Sequence, residues 1–296
     1  MTDIFALSLQ ALRCCSAAEK IQKVRSLETM LSKTDFRTVS DLSIEKIPQP
    51  GRPVLPLHVH PTEVKRRRLG SVQGRVALVH AIAHIEFNAI NLALDAVYRF
   101  RDMPQAYYRD WMRVASEEST HFQLLALRLE ELSSYYGALP AHGGMWAMAV
   151  ETDYDVMVRM ALVPRVLEAR GLDVTPPMLE KLNAVNDAAT VAIFERILTE
   201  EVEHVKIGNR WFGALCEHVD YQRTIRLGIC CINMVKQRCA DRLTNQLDAR
   251  RGLVKLSFKS LIRLNSYFEK KQRLVDVSLP DSEQIGKEAQ DTNLAA

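Results

Sequence analysis

Two Glu-x-x-His motifs, Glu118–His121 and Glu201–His204, are the parts of this chain best suited to chemistry. Residues i and i+3 lie about 60° apart around a helix, so each motif delivers a carboxylate and an imidazole to one point beside it. Such a pair is half of a site for a divalent transition metal. One match means little, because the chain's glutamates and its 8 histidines would give about 0.5 matches by chance. The setting means more. Glu86 stands 32 residues before Glu118, and Glu168 stands 33 before Glu201. The order Glu, Glu-x-x-His, Glu, Glu-x-x-His thus runs through the chain with near-equal spacing in its two halves.

Each acid also falls where an acid should not be. On a helix, Glu86 shares its face with Val79, Ile82, Ala83, Ile90 and Ala93. Glu118 shares its face with Trp111, Val114, Ala115, Phe122 and Leu125, and Glu201 with Phe194, Ile197, Leu198 and Val205. Unpaired carboxylates on core-facing stripes are strongly destabilising, whereas two divalent cations would balance four of them. Glu203 behaves differently, falling beside Arg196, Thr199, Lys206 and Arg210 on a polar face. Glu117 and Glu200 are intermediate, placed to support the ligands from behind. The competing account is a metal-free bundle with buried Glu–His or Glu–Arg pairs, Arg165 being one turn from Glu168. His80 and His84 lie about 120–160° around their helix from Glu86 and are expected to be hydrogen-bonded structural residues. His58, His60, His142 and His218 fall in loops or at helix ends and receive no role, and Trp111, Trp146 and Trp211 fall on core faces. No GxSxG, P-loop or Gly-rich dinucleotide turn is present.

The elements that position these residues are helices. Helix A is expected from Ser71, a natural N-cap, to Phe100, with Pro104 just beyond. Helix B runs from Gln105 to Tyr136 and stops at Gly137. Helix C runs from Met145 to Arg170, kinked by Pro164, and stops at Gly171. Pro176 and Pro177 open helix D, which runs to His218. Residues 4–32 read as one or two helices, and residues 47–61, with five prolines, as an extended arm packed across the domain. The chain therefore divides into N-terminal helices and a Pro-rich arm (1–70), an antiparallel four-helix bundle (71–220), basic C-terminal helices (221–275) and a flexible acidic tail (276–296). The fold class is all-α.

At these positions the sequence resembles a known family. His80-Ala-Ile-Ala-His84-Ile-Glu86, Leu162-Val-Pro-Arg-Val-Leu-Glu-Ala-Arg-Gly-Leu-Asp173 and Glu200-Glu-Val-Glu-His-Val-Lys-Ile-Gly208 resemble a bacterial family of ferritin-like proteins of unknown function. The resemblance covers roughly residues 45–220. It is similar in bundle and ligand order to a di-iron tRNA hydroxylase, and the order of acids and histidines is that of ferritin-like dinuclear carboxylate proteins. The resemblance implies that Glu86, Glu118, His121, Glu168, Glu201 and His204 are the metal ligands. The implied cofactor is a pair of iron ions, Fe/Fe or Mn/Fe.

Bulk composition sets the remaining bounds. Glycine (12) and proline (11) are scarce in 296 residues, which disfavours an all-β fold with many tight turns. No run of 18 apolar residues occurs, the stretch Gly144 to Val163 being broken by Glu151, Asp153, Asp155 and Arg159, so no membrane span is expected. The N-terminus lacks the basic and apolar regions of a signal peptide. None of the six cysteines forms a CxxC pair or a zinc spacing, which suits reduced thiols in a cytoplasm. The net charge is +3, but residues 221–275 carry 13 Lys or Arg against 3 acids. That block suits an anionic partner, or else is a solvated helical face balanced by the acidic tail. The Lys65-Arg66-Arg67-Arg68 run is expected to be a solvated charge run, with phosphate contact as the alternative. The expected activity is that of an O2-dependent di-iron oxidoreductase, a hydroxylase acting on a small-molecule or RNA substrate with an external electron donor. The alternatives are iron storage, ferroxidase or peroxide removal, which would go with a homo-oligomer, and a tRNA-modifying hydroxylase using the basic block.

Overall fold

A computed structural model describes residues 3–33, 35–65, 67–164 and 169–217, with side chains omitted at 169 and 170. The chain divides into two units at residue 241, and all described residues belong to the first. Among them eight α-helices occur and no strand, only two isolated bridges, Asp3–Arg37 and His58–Ala141. The fold is an all-α helical bundle.

The helices start where side chains can satisfy their free N–H groups. Helix α1 (Ile4–Arg13) is capped by Asp3, whose carboxylate accepts the N–H groups of Phe5 and Ala6 at 3.0 and 3.1 Å. Helix α2 (Ala17–Lys33) returns beside it. Helix α3 (Val72–Arg99) begins after Ser71, whose hydroxyl accepts the Gly74 N–H at 3.1 Å, as the sequence predicts. Helix α4 (Gln105–Glu131) follows Pro104. It packs along α3, while α1 covers α3 and α2 covers α4.

By length and composition α3 could cross a membrane. Burial accounts for its character: every residue from Glu86 to Phe100 is buried, and a helix wrapped on all sides is apolar all round. The Pro-rich arm is extended and lies across the bundle. Its backbone is pinned by Gly51 N–H to the Leu12 carbonyl (2.8 Å), by Trp146 Nε1–H to the Ile47 carbonyl (3.1 Å) and by the Glu45 N–H to Tyr98 Oη (2.8 Å). Lys20 ties α2 to α1 and α3, its buried Nζ donating to the Leu12 carbonyl at 2.9 Å and to Asn91 Oδ1 at 2.6 Å. Burial lowers its pKa to about 7.

Three boundaries differ from those expected. Helix B ends at Glu131 rather than Tyr136, because Ser133 turns into a left-handed conformation (φ 57°). The turn folds Tyr136 back so that its ring packs edge-on against Phe122 at 4.9 Å and beside His80 and Phe87. Helix C is not continuous. Helices α5 (Gly144–Glu151) and α6 (Val156–Leu162) are separated by a turn, with Asp155 capping α6 through the N–H groups of Met157 and Val158. A buried cation holds the break: Arg159 donates to Thr152 Oγ1 (2.6 Å), to the Ala149 carbonyl (2.6 Å) and to Asp95 Oδ2 (2.7 Å). Pro176 and Pro177 do not open helix D. They lie inside a further helix, α7 (Ala169–Asn183), which continues through Gly171. Helix D is α8 (Ala188–Glu217). Its start is set by Asp187, whose Oδ1 accepts the Thr190 N–H at 3.2 Å and pairs with Arg128 at 2.7 Å. Helix α8 packs against α4, α6 and α7. Gly208 lets it approach Pro164, since a Cβ there would fall 2.3 Å from the proline Cβ. The extra helices over 221–272, the basic block and the acidic tail lie outside the described residues, as do Arg165, Glu168 and His218.

Candidate metal centre

Helices α3, α4 and α8 bring five of the six expected residues to one buried point. Glu86 comes from α3, Glu118 and His121 from α4, and Glu201 and His204 from α8. Glu118, His121 and His204 have no exposed surface and Glu86 retains 4%. One ligand atom each from Glu86, Glu118, His121 and Glu201 lies within 4.8 Å of the others. His204 adjoins this group: its Nδ1 is 3.1 Å from Glu118 Oε1 and 3.6 Å from Glu201 Oε2. This buried Glu/His group could hold a metal ion. Glu168 is the sixth expected residue, and its place relative to the group lies outside the description.

The two imidazoles are arranged alike. His121 turns Nδ1 inward, 3.3 Å from both Glu86 Oε2 and Glu118 Oε2. Its other nitrogen points out, and Nε2–H donates to Glu200 Oε2 on the facing helix α8 at 2.7 Å. His204 turns Nδ1 toward Glu118 and Glu201, and its Nε2–H donates to Glu117 Oε2 on α4 at 2.7 Å. Each histidine is thus oriented by the acid that precedes the glutamate of the opposite motif. Each of those acids is braced in turn by an arginine four residues earlier, Arg196 for Glu200 at 2.9 Å and Arg113 for Glu117 at 3.9 Å. With Nε2–H committed outward, Nδ1 is the nitrogen left to bind at the centre. Sequence position alone marks Glu117 and Glu200 as intermediate; the folded chain shows that they clamp the imidazoles across the helix interface.

The electrostatics show protons standing in for cations. Burial raises the pKa of Glu86 well above the usual carboxylate range, and the neighbouring charge of Glu118 raises it further. Burial and Glu118 likewise raise Glu201. Burial acts the same way on Glu118, but its contacts with Glu86, His121 and His204 outweigh it and hold this carboxylate well below its ordinary value. For His121, burial opposes the charged form, but hydrogen bonds with Glu118 and Glu86 prevail and push the pKa up to about 11. His204 is raised as well, its contacts with Glu117, Glu118 and Glu201 overcoming burial. Glu118 Oε1, Glu201 Oε2 and His204 Nδ1 are buried in this group without a hydrogen-bond partner among the described residues. Buried polar atoms without a well-formed hydrogen bond are rare in folded proteins, and here three of them meet only as ion pairs, His204 Nδ1 lying 3.1 Å from Glu118 Oε1 and 3.6 Å from Glu201 Oε2.

The other candidate residues sort as expected. His80 Nε2 accepts the Gly137 N–H at 3.0 Å, and His84 bonds Tyr136 Oη at 2.9 Å, so both are structural. Burial lowers their pKa values to about 4 and about 3. Glu203 is exposed and pairs with Lys206 at 2.6 Å. Trp111, Trp146 and Trp211 are buried. No disulfide joins the described cysteines Cys14, Cys15 and Cys216.

A family profile described as a protein of unknown function, DUF455, matches residues 13–249. An uncharacterized protein of Haemophilus influenzae (strain ATCC 51907 / DSM 11121 / KW20 / Rd) is 45% identical over 216 residues, which cover 69% of this chain and 75% of that protein. No solved structure matches the chain.

Proposed function

The chain belongs to the DUF455 family, and we propose that in this member Glu86, Glu118, His121, Glu168, Glu201 and His204 hold two iron ions in a ferritin-like dinuclear centre serving an O2-dependent oxidoreductase of the hydroxylase type. The observation that carries this is the buried convergence of Glu86, Glu118, His121 and Glu201, one ligand atom of each within 4.8 Å of the others, with His204 Nδ1 adjoining at 3.1 Å from Glu118 Oε1. Glu86, Glu118 and His121 would hold one ion, and Glu201 and His204 the other, with Glu118 within reach of both imidazoles. An Fe/Fe or Mn/Fe pair would use the same donors. Bound ferrous ions would supply the electrons that activate O2 for insertion into a substrate bond, and further turnovers would need an external electron donor. The chain's own part is to bind and orient. The carboxylates provide charge balance, Glu117 and Glu200 fix the imidazole tautomers, and the enclosing core excludes water from the donors. Iron storage or ferroxidase activity in a cage is less well supported, because α1 and α2 already cover α3 and α4.

Loading the centre must displace its protons. Because the His121 pKa is raised to about 11, the imidazolium stabilises the metal-free protein fully below the unfolded value of about 6.5, and that contribution is lost as pH rises through about 11. Metal competes with the same proton, so affinity rises with pH across this window. Anaerobic Fe(II) titration by calorimetry, in buffers of different ionisation enthalpy, should give two equivalents bound with release of at least two protons. Exposure to O2 should then produce an oxidised-iron absorption and Mössbauer signature. No bound metal, or binding with no proton release, would remove the reading.

The clamps give a second test. Glu200→Ala should weaken the ion held by His121, and Glu117→Ala the one held by His204, each by about 10–100-fold. Competition with a metal indicator measures this, and unchanged affinities in both variants would mean that the cross-helix bonds do not orient the ligands.

A further inference from the structure

Arg67 and Arg68, from the basic run at residues 65–68, take no part in the centre described above. Arg67 and Arg68 line an open groove of about 440 Å³ with Lys181 at the end of α7, all three exposed, and half-buried Leu69, Met178 and Val185 supply apolar wall. No carboxylate is among the described residues lining it. Among the described residues, neither arginine side chain nor Lys181 has an ion-pair partner. Three exposed cations thus give the groove a positive lining open to an anion.

The segment that carries the arginines is held in place. Ser71 donates to the Arg68 carbonyl through both its N–H (3.4 Å) and its hydroxyl (3.2 Å), and Arg75 Nη1 donates to the Leu69 carbonyl at 3.4 Å. Gly74 makes the approach feasible, since a Cβ there would fall 1.8 Å from the Arg68 carbonyl oxygen. Glycine is a poor helix former, so its presence in the first turn of α3 fits the need for this close passage.

We propose that this groove binds a small phosphate monoester carrying an apolar or aryl group. A monoester bears between one and two negative charges near neutral pH, which suits three cations better than a single carboxylate does. Guanidinium groups present paired N–H donors that match phosphate oxygens. Leu69, Met178 and Val185 receive the organic part, in keeping with small-molecule sites that combine apolar walls with a few placed polar groups.

The test uses phenyl phosphate on the full chain, followed by calorimetry, with inorganic phosphate, benzoate and phenol for comparison. Phenyl phosphate should bind at one equivalent, about tenfold or more tighter than inorganic phosphate or benzoate. The Arg67→Ala/Arg68→Ala double variant and Lys181→Ala should each weaken it about tenfold or more. Met178→Ala should erode the preference over inorganic phosphate, and Lys33→Ala should change nothing. Metal content should be the same in all these variants, which separates this outcome from the fate of the metal centre. Absence of phenyl phosphate binding, or unchanged binding in the double variant, would overturn the proposal. So would tighter binding of a 5′-hydroxyl RNA oligonucleotide at the same residues, which would make the patch an RNA backbone surface instead.

Discussion

Glu118→Ala is expected to abolish binding of both metal ions while leaving the bundle helical. Glu118 faces both imidazoles, 3.3 Å from His121 Nδ1 and 3.1 Å from His204 Nδ1, so its loss empties both half-sites of a donor. His121→Ala and Glu201→Ala should also lose metal, each acting first on its own half. The apo fold tolerates these changes because α3, α4 and α8 are held by apolar packing well beyond the site. Leu125, Leu129, Ile90, Val97 and Phe194 are all buried in the same core. Elemental analysis after anaerobic loading gives the metal content, and far-ultraviolet circular dichroism gives the helicity. Two equivalents retained by Glu118→Ala would sink the ligand assignment. Glu203→Ala, on the wet face of α8, serves as the control and should bind normally.

The largest effect on stability is expected from Asp95→Ala. Asp95 is fully buried and binds two buried guanidinium groups, Arg99 at 2.8 Å and Arg159 at 2.7 Å. Removing it strands two cations in the core beside the break between α5 and α6. Breaking one partner of a buried ionic network costs about 3–5 kcal/mol, enough to consume a large share of a domain's stability. Urea unfolding should show the loss as a lower midpoint with an unchanged slope. A cost below about 1 kcal/mol, the range of exposed ion pairs, would mean that water reaches the arginines and that Asp95 does not organise the break. Asp95→Asn should fall in between, since the amide keeps one acceptor.

Much of the candidate centre was legible in the chain before folding, because helix periodicity is a local rule. The i, i+3 spacing places Glu118 beside His121 and Glu201 beside His204. The apolar neighbours of Glu86, Glu118 and Glu201 mark each as facing inward, and the all-α class and the Ser71 cap follow from the same local chemistry. What periodicity cannot supply is the partner across an interface. That Glu200 clamps His121 and Glu117 clamps His204 depends on how α4 and α8 are rotated against each other. That Arg159 reaches Asp95, and so splits the expected helix C, depends on α3 lying beneath it. The same holds for helix D: the Pro176–Pro177 pair reads locally as its start, whereas in the folded chain the packed turn, with Arg128 pairing Asp187, sets it. Lys181 likewise joins Arg67 and Arg68 only because α7 ends beside the entry to α3. A sequence fixes which face of a helix is buried through the local cost of exposing apolar surface, whereas the contacts that aim a side chain are chosen when distant helices compete for the same space.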